Sequence, residues 1–588
     1  MEYIPEESWA QTTGIGKGGR AFVHRWLELF HRLSLELYRV RHLNVRLAFE
    51  ELRAAISDHK DFQTDYVNVK DLAAETLHLL RQDIVVTKVL PQSQLYHGVL
   101  AHANSDKSLP AGLSVLIEQA CETFKRDYRK VIIQELRSAI TADDVDRTIQ
   151  LTSLLASDLI GDGYDHRHLY WRGEYFAKPP QRSFSDKLND LLNDIEDVVQ
   201  RNHTIATRLT FTRADLAAEC PSEIGDVKIQ AQLAAASGHQ TSAYNKIDPV
   251  FRYATCQTNA PDPFAACRRG MPVLSRALDL LKFTRPMLRV EPNRACLGVS
   301  ESGQEVITPI NLELLGPIRL LKEEIETRLT QISAIHRDDG IDIQTKNRLS
   351  LGLQNLRLGL EGVNPQQQFL SLWIGLEAIA GGKHRTEMTT LRRWVPPTVT
   401  LSYPRSIIVD LRENFLRLHI DLRALLNPQA RTSQRQAVSL EDLWRAICAQ
   451  HKRGQLITAA STFPLLQSRI VAIGKLLDTS QATRQTIERY RQDVEWHIQR
   501  MYRIRNAIVH GGYIPEDLTH LGSHLATYLW TVLRALTDEL TKPTGLRDIS
   551  KFFDKMMVLY GLECEQLEHG GSAEPNLPFL LHPEIMWP

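Results

Sequence analysis

Residues 480–510 form a long stretch without Pro or Gly, and two glycines follow it directly. Such a run predicts one long helix, because paired glycines supply the permissive backbone that commonly ends a helix. At about 100° per residue, Asn506 and His510 share one face and lie one turn apart. Arg505 lies roughly 100° away from Asn506 but is long enough to curl toward it. The sequence therefore predicts a polar trio near the C-terminal end of a rigid helix.

The segment 505–510, with the sequence Arg-Asn-Ala-Ile-Val-His, resembles the R-N-x-x-x-H form of the R-x(4–6)-H motif of HEPN ribonucleases. Members of this family are small all-helical RNA-cutting domains. The upstream segment 368–380, QFLSLWIGLEAIA, is similar to the earlier helix of the Apea-like branch of the family. An R-x(4)-H spacing alone occurs by chance in many helices, so the resemblance depends on both segments in this order. It covers about the last two fifths of the chain.

The resemblance implies that Arg505 and His510 are catalytic, with Asn506 and Glu377 in supporting roles. In the family, the motif helices of two protomers pair into one composite site, which implies a homodimer. The implied reaction uses the 2′-hydroxyl of the RNA itself, without a metal or other cofactor, and leaves a 2′,3′-cyclic phosphate and a 5′-hydroxyl. The family often acts in antiviral defence or as toxins, which implies a phage or antitoxin trigger acting on the N-terminal region.

The residue types fit this chemistry. Histidine is the residue type most often used for proton transfer near neutral pH, which makes His510 a candidate acid or base. Arg505 has a permanently charged, planar guanidinium that matches phosphate oxygens. Asn506 either orients the imidazole or phosphate, or hydrogen-bonds the exposed carbonyls at the helix end, and the sequence favours neither. Glu377 is at least as consistent with a carboxylate bridged to an Arg as with a catalytic group.

Charge does not supply a global attraction for RNA, because 70 Lys and Arg residues balance 70 Asp and Glu residues. Any attraction must be local, and basic residues outnumber acidic ones along the motif helix. We identify Arg500 and Arg503 as candidates for RNA contact. An equally supported interpretation is a solvated helix with internal ion pairs such as Glu488 with Arg491 or Glu495 with Arg500.

Composition narrows the class of protein further. Seven cysteines, an odd number without C-x-x-C spacing, indicate neither a disulfide framework nor a zinc site. The N-terminus lacks the basic and then apolar pattern of a secretory signal, and no apolar stretch is long enough to span a bilayer. We therefore expect a cytoplasmic protein without a membrane partner.

The hydrophobic pattern predicts a mainly α fold. Apolar residues recur at three- and four-residue spacing through most of region 1–241, which we interpret as an N-terminal helical sensor or regulatory region. Region 242–316 is rich in Pro and weakly periodic, which predicts an irregular connection with at most a small β-hairpin near 294–309. Region 317–588 is predicted to be the HEPN-like helical domain with a C-terminal tail.

One further segment, 162–172, combines Tyr, Trp, His and Arg. Aromatic faces beside Arg suit nucleobases, but aromatic residues near turns more often anchor packed helices, and we favour packing.

The leading hypothesis is an endoribonuclease with Arg505 and His510 at its site. The first alternative is a non-catalytic HEPN scaffold that binds nucleotide, RNA or a protein partner through the same helices. The second is a helical interaction protein in which the motif match is accidental.

Overall fold

The computed structural model describes residues 12–31, 34, 43–62, 66–105, 112–178, 181–233, 239–310, 312, 314, 322–381, 387–426, 438–511, 518–542 and 545–568. Three domains follow one another along this part of the chain. The predicted C-terminal tail and the second glycine after the motif lie outside the described residues.

The N-terminal domain is a helical bundle around one apolar core. Its packing follows the predicted periodicity: Ile117, Cys121, Phe124 and Tyr128 recur at helical spacing and are buried. Two very short strands, β1 (Thr12–Thr13) and β2 (Arg182–Ser183), pair in parallel. The helices are α1 (Lys17–Phe30), α2 (Val45–Phe62), α3 (Tyr66–Gln82), α4 (Val86–Val89), α5 (Ser93–Ser105), α6 (Leu113–Thr141), α7 (Val145–Gly161), α8 (His166–Glu174) and α9 (Phe184–Glu196), with a 3₁₀ turn at Tyr175–Ala177.

The middle domain is an antiparallel sheet of six strands in the order β4-β5-β6-β3-β7-β8. Helix α12 covers one face, and residues from α11 and its flanking segments pack on the other. The elements are β3 (Arg201–Phe211), α10 (Ala214–Ala218), β4 (Glu223–Ile224), β5 (Val227–Gln230), α11 (His239–Tyr244), β6 (Phe251–Ala260), α12 (Pro263–Thr284), β7 (Val290–Ser300) and β8 (Glu305–Pro309).

The mainly α fold with at most a small hairpin was a wrong prediction. The hairpin at 294–309 is present, with Val299 opposite Glu305, but it forms one edge of the six-stranded sheet. The central strand β3 is buried at every second residue from His203 to Phe211, but two of these residues, His203 and Thr207, are polar. Ala206 is buried on the opposite face, so the apolar–polar alternation that marks a half-exposed strand is weak in the sequence. The sheet begins at residue 201, inside the region predicted to be helical, and extends through the region predicted to be irregular.

The C-terminal domain is helical and has its own large apolar core. Its helices are α13 (Lys322–Arg337), α14 (Ile343–Glu361), α15 (Pro365–Ala380), α16 (Glu387–Thr400), α17 (Tyr403–Arg417), α18 (Leu422–Leu426), α19 (Leu440–Cys448), α20 (Gln450–Ala459), α21 (Pro464–Leu477), α22 (Ser480–Asn506), α23 (Leu518–Leu540) and α24 (Ile549–Glu568). Helix α22 contains the motif, and α15 contains the upstream segment that resembles the same family.

Buried polar contacts join the N-terminal domain to both of the others. Glu28 of α1 accepts a hydrogen bond from Arg469 Nη2 of α21 at 2.6 Å. Asp262, which caps α12 of the sheet domain, accepts from the backbone N–H of Asp165 at 2.9 Å. In the neighbouring segment 162–172, Arg167 Nη1 donates to Pro309 O of the sheet domain at 2.8 Å. Within the N-terminal domain, Leu169 O accepts from the indole of Trp26 at 2.7 Å. Among the described residues, no helix is both long and apolar enough to cross a membrane.

Candidate active site

The motif lies in the last turns of the long helix that was predicted over residues 480–510. Thr479 caps the start of α22, where its hydroxyl accepts from the backbone N–H of Ala482 at 3.1 Å. The helix runs to Asn506 and continues as a π-helical turn over Ala507–Gly511. Single π turns frequently occur at functional sites, because they redirect side chains without ending the helix. His510 belongs to this turn.

The body of α22 is held rigidly by its own domain. Tyr490 stacks on Tyr403 with ring centroids 3.8 Å apart, and His497 Nδ1 lies 3.0 Å from the hydroxyl of Tyr528. Its buried apolar residues recur at spacings of three and four: Ile487, Tyr490, Val494, Ile498 and Met501. The motif at its end is therefore carried on a fixed support.

Arg505 and Asn506 are joined directly. Arg505 Nη1 donates to Asn506 Oδ1 at 3.1 Å, and both side chains are half-buried. His510, one turn beyond Asn506, is exposed to solvent, as is Val509 beside it. The amide oxygen of Asn506 therefore holds the guanidinium of Arg505, a contact that the sequence did not predict. This contact holds the guanidinium of Arg505 against Asn506, one turn before the exposed His510.

Glu377 lies on a helix that contacts the motif helix. The indole N–H of Trp373 donates to the Glu377 carboxylate within α15. The same Trp373 ring is fully buried and packs against Tyr502 of α22, with ring centroids 6.0 Å apart. Glu377 is half-buried one turn away from that contact. It is thus linked to the motif helix through an aromatic pair.

The two candidates for RNA contact face the N-terminal domain. Arg500 is only 2% exposed, and its guanidinium pairs with Glu51 of α2 at 2.7 Å and Glu75 of α3 at 3.1 Å. Arg503 Nη2 lies 3.2 Å from Glu51, and burial lowers the pKa of Arg503 although Glu51 opposes this. In this arrangement, both cations are neutralised by carboxylates and are not presented to a polyanion.

Further polar contacts extend the same interface. Asp71 of α3 accepts from Gln499 Nε2 at 2.7 Å and pairs with Arg392 of α16 at 3.2 Å. Burial raises the pKa of Asp71, although Arg392 opposes this. Beside them, the rings of His78 and Trp496 lie 5.4 Å apart. The N-terminal domain therefore covers one side of α22 close to the motif.

Sequence reasoning missed the acidic partners of the motif helix. Glu51 and Glu75 lie more than 400 residues before Arg500, so no local spacing connects them. Pairing inside α22 does occur, at Arg484 with Glu488 and at Arg491 with Glu495, but these differ from the pairs considered in the sequence.

The site also has no cluster of metal-ligand side chains around it: within the described ranges, no three His, Cys, Asp or Glu residues converge to hold an ion. The chemistry that the described side chains can perform is proton transfer at His510 and charge stabilisation at Arg505.

Comparison with known proteins identified no related protein. The chain matches no protein-family model, no curated protein and no solved structure. Its likeness to HEPN ribonucleases remains a resemblance carried by segments 368–380 and 505–510.

Proposed function

We propose that this protein is a metal-independent endoribonuclease whose active site contains Arg505 and His510. The observation that carries the proposal is the exposed imidazole of His510, one turn beyond the hydrogen-bonded pair of Arg505 and Asn506, at the end of a buried helix. A catalytic group must reach its substrate and still be held in a fixed geometry, and the end of a packed helix supplies both.

The reaction needs two proton transfers and stabilisation of charge on phosphorus. His510 removes the proton of the ribose 2′-hydroxyl, whose oxygen then attacks phosphorus. The bond from phosphorus to the 5′-oxygen breaks, and that oxygen takes a proton from a second imidazole. Arg505 stabilises the additional negative charge on the phosphate oxygens. The products are a 2′,3′-cyclic phosphate and a 5′-hydroxyl.

A second imidazole is available if two copies of the chain pair through the ends of their motif helices. The partner's His510 would then protonate the leaving oxygen, so the proposed active form is a homodimer. The proposed setting is antiviral defence or toxin-type growth arrest, in which a phage or antitoxin signal acts through the N-terminal domain.

The test is cleavage of single-stranded RNA by the full-length protein in excess EDTA. We expect Arg505→Ala and His510→Ala to lower the rate by at least about 100-fold, because each removes one part of the chemistry. The matched controls are Arg357→Ala and His451→Ala, which alter exposed side chains on other helices, and we expect these to keep the parental rate.

The products distinguish the mechanism as well as the residues. Ends that carry 2′,3′-cyclic phosphate are expected. Unchanged cleavage in both motif variants, or cleavage that EDTA abolishes, contradicts the proposal.

One observation favours a second candidate function, a non-catalytic HEPN scaffold that binds nucleotide, RNA or a protein partner. Arg500 and Arg503 are paired with carboxylates, which leaves less positive charge beside the motif for a phosphate backbone. The scaffold predicts binding through the same helix end without cleavage of any RNA. The cleavage assay separates the two functions, since a scaffold leaves the RNA intact at every protein concentration.

A further inference from the structure

A polar cleft of about 660 Å³ opens where the N-terminal domain meets the sheet domain. Its walls come from α2, α6, the end of α7 and the segment between α9 and β3, and Arg269 of α12 completes the rim. Pockets for small molecules commonly measure about 300–1,000 Å³. The cleft is thus large enough for a ligand of nucleotide size.

The floor of the cleft is a buried network of four charges. Asp158 is 1% exposed and pairs with Arg46 Nε and Arg129 Nε, each at 2.6 Å. Asp162 also pairs with both guanidinium groups, at 2.9 Å from Arg46 Nη2. Because each charge has opposite partners, the network is fixed in place and nearly neutral. It provides a rigid polar floor without competing for a ligand.

The rim, by contrast, carries charged groups that solvent reaches. Lys125 and Lys130 of α6 are exposed at this rim, and Asp127 is a charged neighbour of Lys130. Glu196 and Asp197, at the end of α9, contribute carboxylates from a different wall. Ammonium groups bind phosphate, and carboxylates accept hydrogen bonds from ribose hydroxyls and from amino groups.

We propose that this cleft binds a nucleoside phosphate, with the phosphates at Lys125 and Lys130 and the nucleoside hydroxyl or amino groups at Glu196 and Asp197. A ligand of one charge sign alone would leave either these lysines or these carboxylates without a partner. A nucleoside phosphate carries both kinds of group in one molecule of suitable size.

The cleft is connected to the motif helix through one element. Arg46, Glu50 and Arg53 of α2 line the cleft, while Glu51 of the same helix pairs with Arg500 and Arg503 of α22. A ligand that shifts α2 therefore acts on the carboxylate that holds the motif helix. Control of cleavage by this route rests on the proposed function, whereas the binding site itself does not.

The test is isothermal titration of the full-length protein with ATP, inorganic pyrophosphate and adenosine. We expect ATP to bind with a Kd below about 1 mM. Pyrophosphate and adenosine each carry only one of the two kinds of group, so we expect each to bind at least about tenfold more weakly.

The variant Lys125→Glu/Lys130→Glu is expected to weaken ATP binding by at least about tenfold. The control Lys246→Glu/Lys282→Glu makes the same charge change at two exposed lysines of the sheet domain that lie outside the cleft. It should keep the parental affinity within about twofold. If circular dichroism shows that the double Glu variant is misfolded, Lys125→Gln/Lys130→Gln is tested instead, and we expect the same loss of affinity.

Three outcomes overturn the assignment. These are no binding of ATP, an equal loss of affinity in the cleft variant and its control, or pyrophosphate binding as tightly as ATP. Hydrogen exchange across residues 499–511 with and without ATP tests the connection through α2, and unchanged exchange under saturating ATP removes that connection while the site stands. Neither measurement depends on RNA cleavage, so failure of the nuclease proposal remains a separate result.

Discussion

Glu563 is a carboxyl group enclosed in the core of the C-terminal domain. Its side chain on α24 is fully buried, and neither oxygen has a hydrogen-bond partner among the described residues. Burial alone raises its pKa to about 8. Between the ordinary pKa of about 4.5 and this value, the folded protein keeps a proton that the unfolded chain loses. The free energy of unfolding therefore falls as the pH rises through this window and levels off above it.

We expect Glu563→Gln to raise the free energy of unfolding at pH 7 by about 3 kcal/mol, because the amide carries no charge to neutralise. The variant should also lose the fall in stability between about pH 4.5 and pH 8. Urea unfolding at several pH values measures both effects. Glu565→Gln, on the exposed side of the same helix, should change the stability by less than about 0.5 kcal/mol. An unaltered pH profile in Glu563→Gln would show that the buried carboxyl is ionised or hydrated.

At the scale of elements, the pair α14 and α15 supports the motif helix, and glycines set how closely this pair packs. A Cβ atom on Gly359 would lie 2.4 Å from Cγ of Leu372, and one on Gly352 would lie 2.7 Å from Cγ1 of Ile379. Leu372 precedes Trp373, which packs against Tyr502 of α22. Wider separation of these two helices would thus be transmitted to the helix that carries the motif.

We expect Gly359→Ala to lower the free energy of unfolding by about 1–3 kcal/mol, since the added methyl group cannot fit against Leu372 without moving a helix. Gly454→Ala is the matched control, because Gly454 also lies inside a helix but a Cβ there meets nothing within 4 Å. That variant should gain up to about 1 kcal/mol from helix propensity. Thermal unfolding of both proteins measures the difference, and equal shifts in the same direction would contradict the packing argument.

At the scale of the whole molecule, the proposed site is complete only when two chains meet. Each chain presents one exposed His510, and the N-terminal domain covers the side of α22 that carries Arg500. The exposed residues Val509 and His510 at the end of the motif helix are therefore the part through which we propose that two copies pair.

If cleavage requires two intact copies, a dimer of one active and one inactive chain should not cleave RNA. We expect an equal, co-refolded mixture of parent and His510→Ala chains to retain about one quarter of the activity of the same total amount of parent, because random pairing leaves that fraction of intact dimers. Retention of one half indicates that each chain works alone. The mixture with His451→Ala should keep full activity and controls for the effect of mixing.

Sequence patterns predicted the helical parts of the fold better than the rest. Residues 480–510 form α22 and most of its π turn, as predicted. The prediction succeeded because capping and periodicity are local properties of the sequence. Proline disfavours a helix interior, yet α16 continues through Pro396 and Pro397, since tertiary packing outweighs a local preference. The sheet was missed because its central strand places the polar residues His203 and Thr207 on its buried face and pairs with strands far along the chain.

The sequence by itself determined the motif helix and the order of Arg505, Asn506 and His510 along it, because these follow from interactions between neighbours in the chain. Only the tertiary structure decided which cations remain accessible. Arg500 has the same charge as Arg505, but folding brings Glu51 and Glu75 against it from more than 400 residues away. Burial and long-range pairing depend on how domains pack, and no spacing within one helix encodes them.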